Sequence, residues 1–400
     1  MLRPLSVLQG IGQVEGLGSV AVEDRQQRDV TSVAPPQRSN ADPQRAGAVP
    51  SVTPFRSFEQ PSAPRPPSAT YAALDLGTNN CRLLIARPAQ HGFRVVDAFS
   101  RIVRLGEGLA ASSRLADAAM DRAVEALKVC GDKLRNRAIE KARLVATEAC
   151  RSAANGEEFL SRVKVETGLT LEIIDRQTEA RLAVSGCGSL VERDTEGVVL
   201  FDIGGGSSEI ALIDVRGPRS PRLASHIVAW TSLPVGVVSL AEKFGGREVT
   251  PQIFGAMIDH VKSMLDGFGG RGRLDHLMDG EKFHLLGTSG TVTTLAGVHL
   301  ELERYDRRRV DGLWMDDVSV GRMVEKLLGW DFQQRVNNAC IGADRADLVL
   351  AGCAILEAIR GVWPSDRLRV ADRGLREGIL SELMGDAGVW RRGWRGGARP

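Results

Sequence analysis

The chain has 400 residues, enough for two or three domains, and its formal net charge is +2. This near balance of charge is not that of a general nucleic-acid binder, and aromatic residues, at 5%, are too scarce for base-stacking platforms. The six cysteines are scattered without a Cys-x-x-Cys pair, which predicts reduced thiols and neither zinc nor disulfides. Without a long apolar run or a secretory signal, we expect a cytoplasmic protein that does not contact a membrane.

Residues 1–69 differ in composition from the rest of the chain. Ten of the 17 prolines lie there, among Ser, Gln, Arg and Ala. Such a segment buries too little apolar surface to offset the entropy lost on ordering. We therefore predict a disordered extension over 1–69, with a bound linear motif as the alternative, and a frayed Arg/Gly-rich tail over 388–400.

The first half of the folded part, predicted to begin near Ala69, alternates strands with helices. In chain order we predict a hairpin at 71–88, a strand at 93–103, a helix at 115–140, a strand at 142–146, a helix around Phe159, a strand at 171–175 and a helix at about 177–187.

The second half opens on another hairpin, at 199–214. Helix-rich sequence at 249–278 leads to a strand at 283–286 and then to a turn of small residues at 287–294. From there to Met384 we predict a largely helical stretch. The two halves indicate two domains, at 70–196 and 197–387.

One short motif occurs in both halves. Asp75-Leu-Gly-Thr and Asp202-Ile-Gly-Gly each follow an apolar strand and precede another, and the two aspartates lie 202 − 75 = 127 positions apart. A Gly-rich turn can point successive backbone N–H groups into one concavity, which is a site for anionic oxygen. The repeat therefore predicts two like domains that face each other across a cleft and hold phosphate between them.

Further motifs accompany the repeat in order along the chain. They are Asp-Leu-Gly-Thr-Asn-Asn at 75–80, Arg104-Leu-Gly-Glu-Gly-Leu109, Ala146-Thr-Glu-Ala-Cys-Arg151, Thr178-Glu-Ala-Arg181, Asp202-Ile-Gly-Gly-Gly-Ser-Ser-Glu209, Leu233-Pro-Val-Gly-Val-Val238, Gly287-Thr-Ser-Gly-Thr291, Arg345-Ala-Asp347 and Asp372-Arg-Gly-Leu-Arg-Glu-Gly378. Over about 70–385 this series resembles the exopolyphosphatase / guanosine pentaphosphate phosphohydrolase (Ppx/GppA) family. The resemblance implies an α/β fold of two ribonuclease-H-like domains, the actin-like, sugar-kinase and Hsp70 ATPase fold, with an interdomain cleft. The chain resembles a short, two-domain member.

The resemblance implies an enzyme that removes terminal phosphate processively from inorganic polyphosphate, or one that cleaves the same bond in guanosine pentaphosphate. The motifs do not separate these two partners. Two other classes stay open: an actin-like kinase for a small metabolite, and a non-catalytic sensor that binds an alarmone or polyphosphate. A homodimer is possible.

The candidate phosphate contacts are turn residues and arginines. The two hairpin turns offer backbone N–H groups and hydroxyls, and a third turn lies at a strand end. A planar guanidinium grips two phosphate oxygens at once, which marks two arginines. The full set is Gly77, Thr78, Asn79, Arg104, Thr147, Arg151, Gly204, Gly205, Gly206, Ser207, Thr288 and Ser289.

Carboxylates supply the candidate metal and catalytic groups. Asp202 is the first candidate ligand for Mg²⁺, or alternatively Mn²⁺, and Asp75 is the second, because a divalent ion would neutralise phosphate oxygens. Glu148 at a strand end and Glu179 in the first turn of a helix are the candidates for activating water. The sequence leaves open which of the two glutamates is the base.

Overall fold

The computed structural model of the protein describes residues 69–90, 92–218, 220 and 222–389. All of them belong to one compact unit. Except for Ala69, Gly388 and Val389, the extension predicted at 1–69 and the tail predicted at 388–400 lie outside the described residues.

In the part of the chain that the structure describes, the first sheet has five strands. They are β1 (Thr70–Leu76), β2 (Asn80–Pro88), β3 (Phe93–Ile102), β4 (Ile139–Ala146) and β5 (Glu172–Ile173). Their order across the sheet is β3-β2-β1-β4-β5. The hairpin strands β1, β2 and β3 pair antiparallel, whereas β4 pairs parallel with β1 and β5 parallel with β4.

The second sheet repeats this arrangement. Its strands are β6 (Gly197–Ile203), β7 (Ser208–Asp214), β8 (Ile227–Leu233), β9 (Phe283–Thr288), β10 (Trp314–Asp316) and β11 (Arg367–Ala371). The order β8-β7-β6-β9-β11, with β10 added at the edge, matches the first sheet strand for strand and direction for direction. The prediction of two like α/β units is confirmed.

Helices cover the sheets. They are α1 (Leu109–Ser112), α2 (Asp117–Arg135), α3 (Glu148–Ser152), α4 (Gly156–Thr167), α5 (Arg176–Cys187), α6 (Val237–Phe244), α7 (Pro251–Asp266), α8 (Gly290–His299), α9 (Arg307–Val310), α10 (Asp317–Gly329), α11 (Phe332–Asn337), α12 (Val349–Val362) and α13 (Leu375–Asp386), with 3₁₀ turns at Gly188–Leu190, Leu223–His226 and Arg271–Leu277. Within the described part of the chain, no helix is both long and apolar enough to cross a membrane.

Two helices, α5 and α13, form the layer between the sheets. Leu182 of α5 and Ile379 of α13 pack with Tyr71 and Leu84 on one face of the first sheet. The next turn of α5 packs against the second sheet. The chain therefore returns at α13, inside the range predicted for the second domain, to cover the first sheet.

One prediction about a single element was wrong. The helix predicted at 115–140 ends at Arg135, and β4 begins at Ile139. The charged residues at the start of β4 carry no strand pattern, and their pairing with β1 overrides their helical propensity. The stretch to Met384 is largely helical, as predicted, and it also contains the short strands β10 and β11. The alternation in Arg367-Leu-Arg-Val-Ala371 is the sequence signal of β11.

Candidate active site

The two repeated turns face each other across one cleft. The turn at 77–79 joins β1 to β2, and the turn at 204–207 joins β6 to β7. They approach so closely that a Cβ atom added to Gly205 would lie 2.9 Å from the Cβ of Thr78. One added to Gly206 would lie 2.8 Å from the Thr78 hydroxyl. Glycine is thus required where the halves meet.

Neighbouring loops hold the carbonyl oxygens of both turns. The carbonyls of Thr78 and Asn79 accept hydrogen bonds of 2.9 Å from backbone amides in the loop after β3. In the second half, the carbonyls of Gly204 and Gly205 accept bonds of 2.9 and 2.8 Å from the first amides of α6. Each turn is therefore held in place through its carbonyl oxygens.

The backbone N–H groups of the turns stay available. Within the described ranges, no protein acceptor binds the amides of Thr78, Asn79, Gly205 or Gly206, and all four residues line the cleft. Unpaired backbone donors grouped in two facing turns make a concave site for anionic oxygen.

Four further segments complete the cleft, each following a parallel strand. Glu148 begins α3 after β4, and Glu179 lies in the first turn of α5 after β5. Thr288 ends β9 and Ser289 precedes α8, and 372–374 connects β11 to α13, whose first residues also line the cleft. Because carboxyl ends of parallel strands share one edge of a sheet, these side chains converge on the two turns.

Among the described residues, seven carboxylates line this cleft, and burial raises the pKa of five of them: Asp75, Glu179, Asp202, Glu209 and Asp372. Asp202 faces Glu209 across the β6–β7 pairing. Burial raises the pKa of Asp202 to about 6, and the nearby charge of Asp75 adds to the effect. Burial also raises the pKa of Glu209 to about 7, helped by Asp202. Burial and the charge of Glu209 raise the pKa of Glu179 well above its usual range. The nearby charges of Arg82 and Arg151 offset part of the repulsion among these groups.

Glu148 is in a different electrostatic state. Burial by itself would raise its pKa, but hydrogen bonds from Arg176, Ser152 and Arg151 more than offset that effect, so the pKa lies below its usual range. Its Oε1 accepts from Ser152 Oγ at 2.5 Å and from Arg176 Nη2 at 2.8 Å. Glu148 is thus an ionised carboxylate, and both of its oxygens already accept hydrogen bonds from protein side chains.

The two arginines predicted as phosphate contacts do not line the cleft. Arg151 is bound to Glu148 and Glu179, at 2.5 and 3.0 Å from Nη2. Arg104 forms two hydrogen bonds to Asp347 in the other half, at 2.9 and 3.0 Å. The donors of both side chains therefore point at protein carboxylates.

Other arginines face the cleft instead. Arg82, Arg345 and Arg376 line it, and none of the three side chains has a hydrogen bond or ion pair among the described residues. They also line an adjoining cavity, together with Arg307. Guanidinium groups without protein partners are suited to binding phosphate oxygens.

Sequence reasoning missed Glu209 and Arg376 as site residues. Glu209 is the second residue after the second turn, and it lies opposite Asp202 in the hairpin. Arg82 occupies the equivalent position opposite Asp75 in the first hairpin. Arg376 lies in the motif at 372–378, for which the sequence alone indicated no role. It reaches the cleft because α13 begins there.

Most of the predicted site residues lie together. The cleft is lined by Asp75, Gly77, Thr78, Asn79, Thr147, Glu148, Glu179, Asp202, Gly204, Gly205, Gly206, Ser207, Thr288 and Ser289. Arg104 and Arg151 are the two that it does not include. The structure thus gathers residues from both halves, as the repeat predicts.

The donor set fits a divalent cation that the substrate helps to hold. Within the described residues, no three His, Cys, Asp or Glu side chains form a complete metal cage. Mg²⁺ commonly takes one or two carboxylates and completes its shell with phosphate oxygens and water. Asp75, Asp202 and Glu209 offer carboxylates for that lesser need, and the Oδ1 atom of Asn79, which lines the same cleft, is buried without a partner among the described residues.

Residues 84–387 match the model of the Ppx/GppA phosphatase family. The chain belongs to the Ppx/GppA phosphatase family. The earlier resemblance rested on motifs over about 70–385, and this match covers nearly the same span.

Two curated relatives carry different names. A guanosine-5'-triphosphate,3'-diphosphate pyrophosphatase of Aeromonas salmonicida is 28% identical over 80% of this chain and 60% of its own length. A provisionally named exopolyphosphatase of Haemophilus influenzae is 28% identical over 78% of this chain and 90% of its own. This Ppx/GppA protein therefore spans about 60% of the Aeromonas relative.

The solved structure of the Aquifex aeolicus Ppx/GppA family member shares the fold. Its TM-score is 0.62 at 28% identity, and the alignment covers 80% of this chain and 99% of that one. The predicted fold class is confirmed: two ribonuclease-H-like domains in the actin-like arrangement, with the cleft between them.

Proposed function

We propose that this Ppx/GppA protein is an exopolyphosphatase that hydrolyses the terminal phosphoanhydride bond of inorganic polyphosphate with Mg²⁺. One observation carries the proposal: two facing turns present unpaired backbone N–H groups in the cleft that the carboxylates of Asp75, Glu179, Asp202 and Glu209 also line. Donors at the turns suit the phosphate oxygens, and carboxylates suit a cation and a water. Phosphoryl transfer needs this combination of positioning and charge neutralisation.

Glu179 is the proposed base. A water attacks the terminal phosphorus, the bridging P–O bond breaks, and the products are orthophosphate and the shortened chain. Glu179 accepts the proton of that water, since its raised pKa favours proton uptake and Arg151 is its one hydrogen-bonding partner among the described residues. Glu148 is less suited, because its carboxylate is already saturated with donors.

Asp202 and Asp75 would hold the Mg²⁺, with Glu209 beside them. When bound, the ion would neutralise charge on the phosphate oxygens. Arg82, Arg345 and Arg376 would contact the phosphates behind the scissile bond, because they line both the cleft and the adjoining cavity.

Guanosine pentaphosphate is the second candidate substrate. The Aeromonas relative is named for that reaction. The cavity that adjoins the cleft offers room beyond the phosphate contacts, and it is lined by Tyr305 as well as arginines. Both substrates present the same terminal bond to the same turns.

The deciding experiment compares orthophosphate release from long-chain polyphosphate and from guanosine pentaphosphate, each with Mg²⁺, with Mn²⁺ and with a chelator. Faster turnover of polyphosphate supports the main proposal, and faster turnover of the nucleotide supports the second candidate. Release from neither contradicts both. Acceptor-dependent consumption of ATP would instead identify a kinase.

A Glu179→Gln variant tests the sensor alternative in the same assay. A hydrolase should lose at least about 10² in kcat and keep substrate binding. A sensor would show no turnover in the wild-type protein and unchanged binding in the variant.

A further inference from the structure

Arg151 connects the two glutamates at the side of the cleft. Its Nη2 donates to Glu148 Oε2 at 2.5 Å and to Glu179 Oε2 at 3.0 Å. Its Nε donates again to Glu148, at 3.1 Å, and its Nη1 donates to the carbonyl of Ile174 at 2.7 Å. These bonds occupy four of the five N–H groups of the guanidinium.

Glu148 anchors this arginine from the opposite side. While Oε2 binds Arg151, Oε1 is held by Ser152 and Arg176. The side chains of Arg151, Glu148 and Glu179 are exposed by only 15%, 9% and 12%. The ion pair of Arg151 and Glu148 is therefore largely buried, and several hydrogen bonds fix its geometry.

Glu179 depends on that support. The charges of Glu209 and Asp75 oppose its own, and Arg151 supplies the opposite charge and its hydrogen bond. A carboxylate without this bond would turn away from its like-charged neighbours. Since a displacement of about 1 Å can cost about 10² in rate, the orientation of Glu179 matters for attack by water.

We infer that Arg151, anchored by Glu148, is a positioning residue that holds the Glu179 carboxylate toward the terminal phosphate. The inference rests on the proposed function, and it replaces the sequence-based role of Arg151 as a phosphate contact. The expected effect is therefore on kcat, because Arg151 acts through Glu179 and its N–H groups already donate to protein oxygens.

The test measures kcat and KM for the wild-type protein and for Arg151→Met, Arg151→Lys and Glu179→Gln, using whichever of the two substrates it hydrolyses. Arg151→Met should lower kcat by about 10² and leave KM within about threefold. Arg151→Lys should not restore kcat, because one ammonium cannot reproduce the fork between two carboxylates. Arg82→Met is the matched control and should mainly raise KM.

A double variant separates positioning from general damage. In the Glu179→Gln background, Arg151→Met should cause little further loss of kcat, because the group that it positions is gone. A multiplied loss there, or a raised KM with unchanged kcat in the single variant, would overturn the inference. If Arg151→Met does not fold, Arg151→Lys carries the same comparison.

Failure of the proposed function gives a different result. A wild-type protein that releases phosphate from neither substrate contradicts the hydrolase proposal, and this inference with it. An active wild-type protein with a KM-only effect at Arg151 contradicts this inference alone.

Discussion

Arg104, in the loop after β3, holds Asp347 of the other half through two hydrogen bonds of 2.9 and 3.0 Å. The same guanidinium donates to the carbonyl of Asp344 at 3.0 Å. Nearby, Glu242 of α6 accepts from the amide of Gly108 at 2.8 Å. The loop that supports the first turn is therefore tied to the second half of the molecule.

This ion pair predicts an effect on closure of the cleft. Replacing Arg104 by Met should raise KM by about two- to fivefold, because a partly exposed ion pair contributes up to about 1 kcal/mol. Steady-state kinetics check the value. Asp347→Asn should act in the same direction, and the double variant should add little to either.

The Asp347 variant also tests the sequence-based role of Arg104. If Arg104 were a phosphate contact restrained by Asp347, then Asp347→Asn would free it and lower KM. A rise in KM with both variants supports a connection between the halves. A fall with Asp347→Asn alone contradicts it.

Gly205 predicts that the turns tolerate no side chain where they meet. A Cβ atom there would lie 2.9 Å from Thr78 Cβ and 3.2 Å from the Asn79 amide nitrogen. Gly205→Ala should therefore force the turns apart and lower kcat/KM by about 10².

Gly255→Ala in α7 is the control for that change, because no atom lies within 4 Å of its added Cβ. It should leave activity intact and stabilise the protein by about 0.5–1 kcal/mol. Kinetics and thermal unfolding of both variants make the comparison. Normal kcat/KM in Gly205→Ala would show that the turns separate during turnover.

The cleft carboxylates predict that metal binding releases protons. In the metal-free protein the pKa of Asp202 is raised to about 6 and that of Glu209 to about 7. Both groups are partly protonated at pH 6, and a cation favours their ionised forms. The apparent affinity for Mg²⁺ should therefore rise with pH between about 6 and 7 and level off above that range.

Calorimetry in two buffers of different ionisation enthalpy measures this release. Binding at pH 6 should liberate protons, and binding at pH 8 should liberate almost none. Asp202→Asn should weaken binding and remove much of the pH dependence. Proton uptake at pH 6 would contradict the assignment of these carboxylates.

The sequence predicted the parts of the site that repeat. Asp75 and Asp202 end equivalent strands and precede glycine-rich turns, so local pattern alone located both sides of the cleft. A local pattern does not reveal partners. Arg151 and Arg104 looked like phosphate contacts because nothing in the sequence shows that Glu179 and Asp347 occupy their donors.

The missed residues have a related cause. Glu209 follows the second turn, but its role depends on facing Asp202 across the hairpin. Arg376 lies more than 170 positions after Asp202 in the chain and reaches the cleft because α13 returns to the first sheet. The repeated motif does not predict this return of α13, because the return depends on how α5 and α13 pack between the two sheets.

The crossing of α5 and α13 depends on glycine, which gives the last prediction. A Cβ atom added to Gly378 would lie 2.0 Å from the carbonyl oxygen of Leu182, and backbone at this distance cannot move aside cheaply. Gly378→Ala should therefore destabilise the protein by about 1–3 kcal/mol or more, as overpacking does. Gly385→Ala in the same helix has no atom within 4 Å of its Cβ and should not lower the melting temperature. Thermal unfolding of both variants decides, and equal melting temperatures would mean that the two helices separate at little cost.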